Sequence, residues 1–279
     1  MTELFTLVND DLVPAAQASL LVSDLSIQRG YGIFDFFKTL GHTPVFLDDH
    51  LNRFFHSAAR LRLESGKTKP QLRDLIDTLR NKNKIADSGI RLTLTGGYSP
   101  DGYTLTRPNL IITQTPLSTP ITSECQPGIS LITWPHQRQM PDTKTIDYLM
   151  AIWCQPMLRA KDAQDVLYHH NGIISECPRS NFFIVTADNT LVTPAHNMLK
   201  GVIRGKVLQL AQQEFRTEER DIHLDELQYA KEAFITSTTK HILPVTRIDN
   251  MGIGQQPGST SIAQQLNTAL YNLTAVKDG

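Results

Sequence analysis

The hydrophobic positions of this chain change period several times, and each change predicts an element. Leu72, Leu75, Ile76 and Leu79 recur at helical spacing, which predicts an amphipathic helix over roughly residues 71–81. Asp48 or Asp49 stands where the cap of an earlier helix, running to Arg62, is expected. Ile90-Arg91-Leu92-Thr93-Leu94-Thr95 alternates apolar and polar side chains, the signature of a strand. Gly96-Gly97 ends it, and Leu110-Ile111-Ile112 reads as the returning strand. In the second half a strand is predicted over 129–134 and a helix over about 144–158. Two runs, 166–170 and 173–175, flank Asn171-Gly172, the dipeptide that most favours a two-residue hairpin. Residues 182–185 and 191–192 flank a second turn at Asp188-Asn189. Gly201 precedes an amphipathic helix carrying Ile203, Val207, Leu210 and Ala211, and 233–236 reads as a strand running into a polar turn.

Helix and strand alternate throughout, so the fold class is α/β (α+β). Thr115-Pro116-Leu117-Ser118-Thr119-Pro120 has the composition of a linker. The expected division is a domain over 1–115, a linker over 116–124 and a second domain over 125–279. A length of 279 residues is long for one core and suits two domains. The net charge of -1 gives no basic field for nucleic acid. No apolar run is long enough for a bilayer, and Met1-Thr2-Glu3-Leu4 lacks the basic start of a signal peptide. Cys125, Cys154 and Cys177 are odd in number and lack metal-ligand spacing, so reduced thiols in a cytoplasmic protein are expected.

Against this background a few residues carry chemistry. Lys144 lies among small and apolar residues in Pro141-Asp142-Thr143-Lys144-Thr145-Ile146-Asp147-Tyr148-Leu149. Alone it reads as a surface lysine, because lysine is rarely buried. Glu176 follows the hairpin with Ile174 and Phe182 expected to be buried nearby, and a buried carboxylate needs a partner. That partner is either an arginine such as Arg179 or a protonated ring nitrogen. Gly201-Val202-Ile203 stands where a loop becomes a helix, and unpaired N–H groups there suit a phosphate. Ser237, Thr238 and Thr239 offer hydroxyls after a strand, and Arg53 offers a planar fork on a helix. Each feature is common by itself. In this order, an amine, a carboxylate and two phosphate-type loops suggest a pyridoxal 5'-phosphate enzyme.

Other motifs are weaker. Ser65-Gly66-Lys67-Thr68 lacks the glycine that a nucleotide loop needs at position 61, where Leu stands. His169 and His170 are adjacent on a strand and point to opposite faces, so no metal site is expected. Gly97-Tyr98-Ser99-Pro100-Asp101 lacks the closing glycine of a nucleophile elbow. Trp134 and Trp153 are expected in the core.

The set His50-Leu51-Asn52-Arg53, Lys144, Glu176 with Ser180-Asn181, Leu199-Lys200-Gly201, Ser237-Thr238-Thr239, Ile253-Gly254 and Pro257-Gly258 resembles the fold-type IV pyridoxal-phosphate enzymes. That family includes D-amino-acid aminotransferases, branched-chain aminotransferases and aminodeoxychorismate lyases, and the similarity runs from Gly32 to Gly258. It implies an N-terminal α/β sandwich and a C-terminal barrel-like α/β domain, with the cofactor between them, in a homodimer. By matching position, Lys144 would form the Schiff base and shuttle the proton, and Glu176 would hold the ring nitrogen. Arg53, Val202, Ile203, Thr238 and Thr239 would hold the phosphate, and Tyr148 would touch the ring hydroxyl. The chain departs from the D-amino-acid group at Gly96 and Phe34, where that group usually carries an Arg and a Tyr for the substrate carboxylate. Its Phe34-Asp35-Phe36-Phe37 differs from the Phe-Glu-Gly of the branched-chain group, and Gly96-Gly97-Tyr98-Ser99-Pro100-Asp101-Gly102-Tyr103 is similar to the lyases. Arg29, Arg91 and Arg179, the last favoured, are the candidates for a different carboxylate clamp. The expectation is a transaminase moving the amino group of a D-amino acid to a 2-oxo acid. Branched-chain L-specific transamination and aminodeoxychorismate cleavage are the alternatives, and a non-catalytic scaffold is a weaker one.

Overall fold

A computed structural model describes residues 3–117, 122–124, 127–254 and 261–274. Among these, the chain forms two compact units. The first takes 3–117 together with Thr143–Asp147, and the second takes the described parts of 122–142 and of the stretch from Tyr148 to Thr274.

The first unit is a six-stranded sheet covered by helices. Its strands are β1 (Phe5–Val8), β2 (Asp11–Pro14), β3 (Gly32–Leu40), β4 (Thr43–Pro44), β5 (Ser88–Thr95) and β6 (Leu110–Pro116), in the order β2-β1-β6-β5-β3-β4. Its helices are α1 (Leu25–Arg29), α2 (Leu47–Arg60) and α3 (Lys69–Asn83). The periodicity around Leu72 is the buried stripe of α3, where Leu72, Ile76 and Leu79 are fully buried. The Ser65–Thr68 motif has a structural task, for Thr68 caps α3 in a reciprocal pair with Gln71. The cap expected at Asp48 or Asp49 is elsewhere. Phe46, in left-handed backbone, precedes α2, and both aspartates lie inside its first turn, where the helix dipole favours them. In register, Asp35 faces Leu92 and Phe37 faces Ile90 on the side of β3 where the Phe37 ring meets His50 of α2. Phe34, Phe36 and Lys38 occupy the other face with Thr93, Arg91 and Gly89 opposite them.

The second unit holds β7 (Ile129–Pro135), β8 (Asp165–His170), β9 (Ile173–Ile174), β10 (Glu176–Cys177), β11 (Ser180–Val185), β12 (Leu191–Thr193), β13 (Thr217–Glu219), β14 (Glu232–Ser237), β15 (His241–Ile248) and β16 (Met251–Gly252). Eight of them run in the order β13-β12-β11-β14-β15-β7-β8-β9, with β10 paired to β11 and β16 to β15. Parallel pairs such as β7 with β8 and antiparallel ones such as β11 with β14 make the sheet mixed. Its helices are α4 (Leu149–Trp153), α5 (Gln155–Ala160), α6 (Val202–Ala211) and α7 (Ile262–Thr274). Asn171 and Gly172 both have positive φ, which is what the two-residue hairpin between β8 and β9 demands. Leu131, Phe182, Ile184, Val192, Ile235 and Leu243 form the core on one face.

Two expectations fail here. The helix expected over 144–158 begins only at Leu149, because the preceding backbone is committed to β3, as described below. Trp153 is 61 % exposed, beside a half-buried Trp134, rather than in the core. Pro257-Gly258 and Cys125 lie outside the described residues.

Candidate active site

The first unit brings Lys144, Phe34, Arg91 and the inner face of α2 together. The segment Thr143–Asp147 acts as a short added strand at the start of β3. Phe34 N–H donates to the Lys144 carbonyl at 2.9 Å, Ile146 N–H donates to the Gly32 carbonyl at 3.1 Å, and Thr145 bridges Ile33. From α2, Ser57 Oγ accepts the Lys144 backbone N–H at 3.1 Å. Both polar backbone groups of Lys144 are therefore fixed. Its Nζ lies 4.5 Å from the centre of the Phe34 ring. The Arg91 guanidinium lies 3.8 Å from the centre of that same ring. An aromatic ring attracts cations to its faces, so Phe34 gathers the amine and the guanidinium at one place.

Behind this ring, α2 carries His50, Arg53 and Ser57 along one face. Asp35, 1 % exposed, accepts four hydrogen bonds: from Arg53 Nε at 2.8 Å, Arg53 Nη2 at 2.9 Å, His50 Nδ1 at 2.7 Å and Phe36 N–H at 2.8 Å. Burial alone would raise the Asp35 carboxyl, yet the Arg53 charge and the His50 bond outweigh it and hold it well below the usual carboxylate range. Burial pushes His50 down, against the pull of Asp35, so its ring is neutral near pH 7. The side-on fork of Arg53, Nε with Nη2, is thus occupied by Asp35. On the end-on edge of Arg53, Nη1 has no partner among the described residues, and Nη2 meets besides Asp35 only His50 Nδ1, at 3.4 Å, a nitrogen that already faces Asp35 at 2.7 Å.

The second unit assembles its groups through strand register. Glu176 stands opposite Asn181, and Asn181 opposite Thr236, so the three side chains share one face across β10, β11 and β14. Glu176 is 5 % exposed. Its Oε1 accepts from Arg138 Nε at 2.7 Å and its Oε2 from the Leu199 N–H at 3.0 Å. The arginine that pairs with Glu176 is therefore Arg138 rather than Arg179. Asn181 Nδ2 donates to the Leu199 carbonyl at 2.6 Å, and a Cβ on Gly201 would come within 2.1 Å of Asn181 Oδ1. Only glycine lets the chain lie this close to Asn181 before α6 begins. Gly201 is also the cap residue of α6 and has no side chain to cover the first turn. The N–H groups there, those of Val202 and Ile203 among them, face outward with the positive end of the dipole. The Thr236 hydroxyl is buried and has no partner among the described residues. Beyond it Thr238 is half-buried and Thr239 exposed in the turn between β14 and β15, and Ser237 Oγ accepts the Lys240 N–H at 3.2 Å.

A buried acid, a helix start with no side-chain cap and a buried Thr236 hydroxyl with no partner among the described residues fit a ring nitrogen and a phosphate. Tyr148, half-buried, precedes α4. Arg91 is exposed, as the remaining arginines are, and is set apart by its contact with the Phe34 ring. Arg29 is exposed at the end of α1 and donates to the Gln28 carbonyl, and Arg179 is exposed in the turn between β10 and β11, where its charge acts on Asp165 and Cys177.

Asp35, Ser57, Arg138 and Thr236 were not legible as site residues. A carboxylate inside the apolar run Ile33-Phe34-Asp35-Phe36-Phe37 did signal a buried partner, and His50 and Arg53, three apart on one helix, were the available ones. Nothing near Glu176 in sequence points to Arg138.

The family model for amino-transferase class IV matches residues 32–248. D-alanine aminotransferase from Bacillus licheniformis is 29% identical over 274 residues, 95% of each chain. Among solved structures, the branched-chain amino acid aminotransferase of Escherichia coli superposes with a TM-score of 0.89 at 20% identity, covering 99% of this chain and 97% of the other. A hypothetical aminotransferase from Mycobacterium tuberculosis in its PLP-bound form gives 0.82 at 19%, covering 95% and 98%.

Proposed function

Because the chain belongs to the amino-transferase class IV family of pyridoxal-phosphate-dependent transaminases, we propose that it moves the amino group of a D-amino acid to a 2-oxo acid. The observation that carries this reading is the Phe34 ring, with the Lys144 amine on it at 4.5 Å and the Arg91 guanidinium at 3.8 Å. A reactive amine beside a planar cation is what an α-amino acid requires, since its carboxylate needs a fork within reach of its α-carbon. The likeness to D-alanine aminotransferase over almost the full length supports the D assignment.

Bound pyridoxal phosphate supplies an electron-withdrawing ring that takes up the electron pair left when the α-proton departs. Lys144 Nζ would hold the cofactor by its aldehyde carbon and would carry the α-proton. Glu176, held in place by Arg138 and the Leu199 N–H, would keep the proton on the ring nitrogen. The N–H groups of Val202 and Ile203, the hydroxyls of Thr238 and Thr239, and Arg53 hold the phosphate, and Tyr148 meets the ring hydroxyl. Arg91 binds the substrate carboxylate, with Arg29 and Arg179 as the further candidates. The protein works as a homodimer, a reading supported by Leu149, Ile152 and Trp153, which are 75 %, 62 % and 61 % exposed around one short helix. Light scattering of the purified chain tests it.

The deciding experiment is a screen of D- and L-amino acids with 2-oxoglutarate as acceptor. D-alanine or D-glutamate should be converted and L-leucine should not. Conversion of L-leucine alone would overturn the D assignment, and pyruvate release from aminodeoxychorismate without an acceptor would indicate the lyase. Arg91→Ala should raise KM for the amino acid by about 10–100-fold, the worth of a charged hydrogen bond, with smaller effects for the equivalent changes at Arg29 and Arg179.

A further inference from the structure

We infer that Asp35 is a positioning residue that aims Arg53, holding its side-on edge so that the end-on edge is presented to the cofactor phosphate. The inference rests on the cofactor reading above. Its basis is the division of the guanidinium between two tasks. Arg53 has five N–H donors, and two of them, on Nε and Nη2, form parallel bonds to the two Asp35 oxygens. The three that remain include the Nη1/Nη2 pair, which is itself a fork that matches two phosphate oxygens.

Asp35 can hold an arginine in place because it is itself held. Its Oδ1 also accepts from the Phe36 N–H on its own strand and from His50 Nδ1 on α2. The carboxylate is thus tied both to the sheet and to the helix that carries Arg53. Asp35 also cancels the charge of Arg53, so the pair attracts an anion through direction rather than net charge. A bare electrostatic role for Arg53 and an aimed one therefore make opposite predictions. Removing the Asp35 charge should strengthen anion binding if only charge matters, and weaken it if aim matters.

The test compares the apparent dissociation constants of pyridoxal phosphate and pyridoxal for the full-length protein, by equilibrium dialysis. The wild type should favour the phosphorylated compound. In Asp35→Asn that preference should fall by at least about tenfold, the loss of a charge-assisted contact, with pyridoxal binding little changed. A preference that stays level or rises would overturn the inference. If Asp35→Asn does not fold, Arg53→Lys decides, since lysine keeps the charge but cannot be gripped by two parallel bonds. Loss of the preference in that variant supports aiming, and its retention overturns it. A wild type that binds both compounds equally refutes the inference while leaving Lys144 in place. Binding of neither removes the cofactor reading itself.

Discussion

The two units manage charge in different ways. In the first, the arrangement proposed to meet an anion is built from side chains, with Arg53 pinned by Asp35 and Asp35 pinned by His50 and a strand N–H. In the second it is built from backbone, with the uncapped start of α6 lying against Asn181 where only a glycine fits. Side-chain forks give direction but cost conformational entropy, which the first unit limits by burying the carboxylate that fixes the fork. Backbone donors are already fixed by the helix and need only be left uncovered. The first design depends on a chain of partners, so removing one releases the next. The second depends on a single contact distance.

The largest effect is expected at Lys144. Lys144→Ala should lower turnover by about 10²–10⁴-fold from lost proton transfer alone, while pyridoxal phosphate still binds. A steady-state assay with D-alanine, beside equilibrium dialysis, checks both halves, and complete loss of binding would show that the amine dominates both designs. Next comes Glu176→Ala, which strips Arg138 of its carboxylate in a largely buried pair and should cost about 3–5 kcal/mol. Urea unfolding measures it, and a loss below about 1 kcal/mol would mean that the second unit does not depend on this pair. Gly201→Ala is expected to cost about 1–3 kcal/mol through overpacking against Asn181, with weaker affinity for inorganic phosphate by titration calorimetry. An alanine that leaves phosphate affinity intact would dissolve the contrast between the units.

A pH-dependent effect is expected at Lys38, fully buried on the Phe34 face of β3, where burial lowers its amine from 10.5 to about 7. Between those values the unfolded chain binds the proton and the folded chain does not, so stability should rise with pH from about 7 to about 10. Below about 7 the amine is protonated in both states and the penalty is fully present. Lys38→Met should flatten that rise in thermal melts taken across this range. An unchanged slope would assign it to other groups.

Local patterns carried much of the fold. The Asn171-Gly172 hairpin was legible because its geometry demands positive φ at two residues in a row, which few dipeptides supply. The α3 stripe was legible because Leu72, Ile76 and Leu79 face one core. The helix predicted from residue 144 failed because the periodicity of the following segment does not reveal that Thr145 and Ile146 pair with β3, more than a hundred residues earlier. The candidate site was legible as residue types in order. Its pairings were not, because Glu176 and Arg138, or Asp35 and Arg53, meet only through tertiary packing.

The stitching of Thr143–Asp147 onto β3 also bears on how the protein is made. Every strand of the first sheet is synthesised before Lys144, and early domains generally fold first. The segment that carries Lys144 is therefore fitted onto strands that are already made, and a nascent chain interrupted before residue 143 carries all six strands of the first sheet but not Lys144.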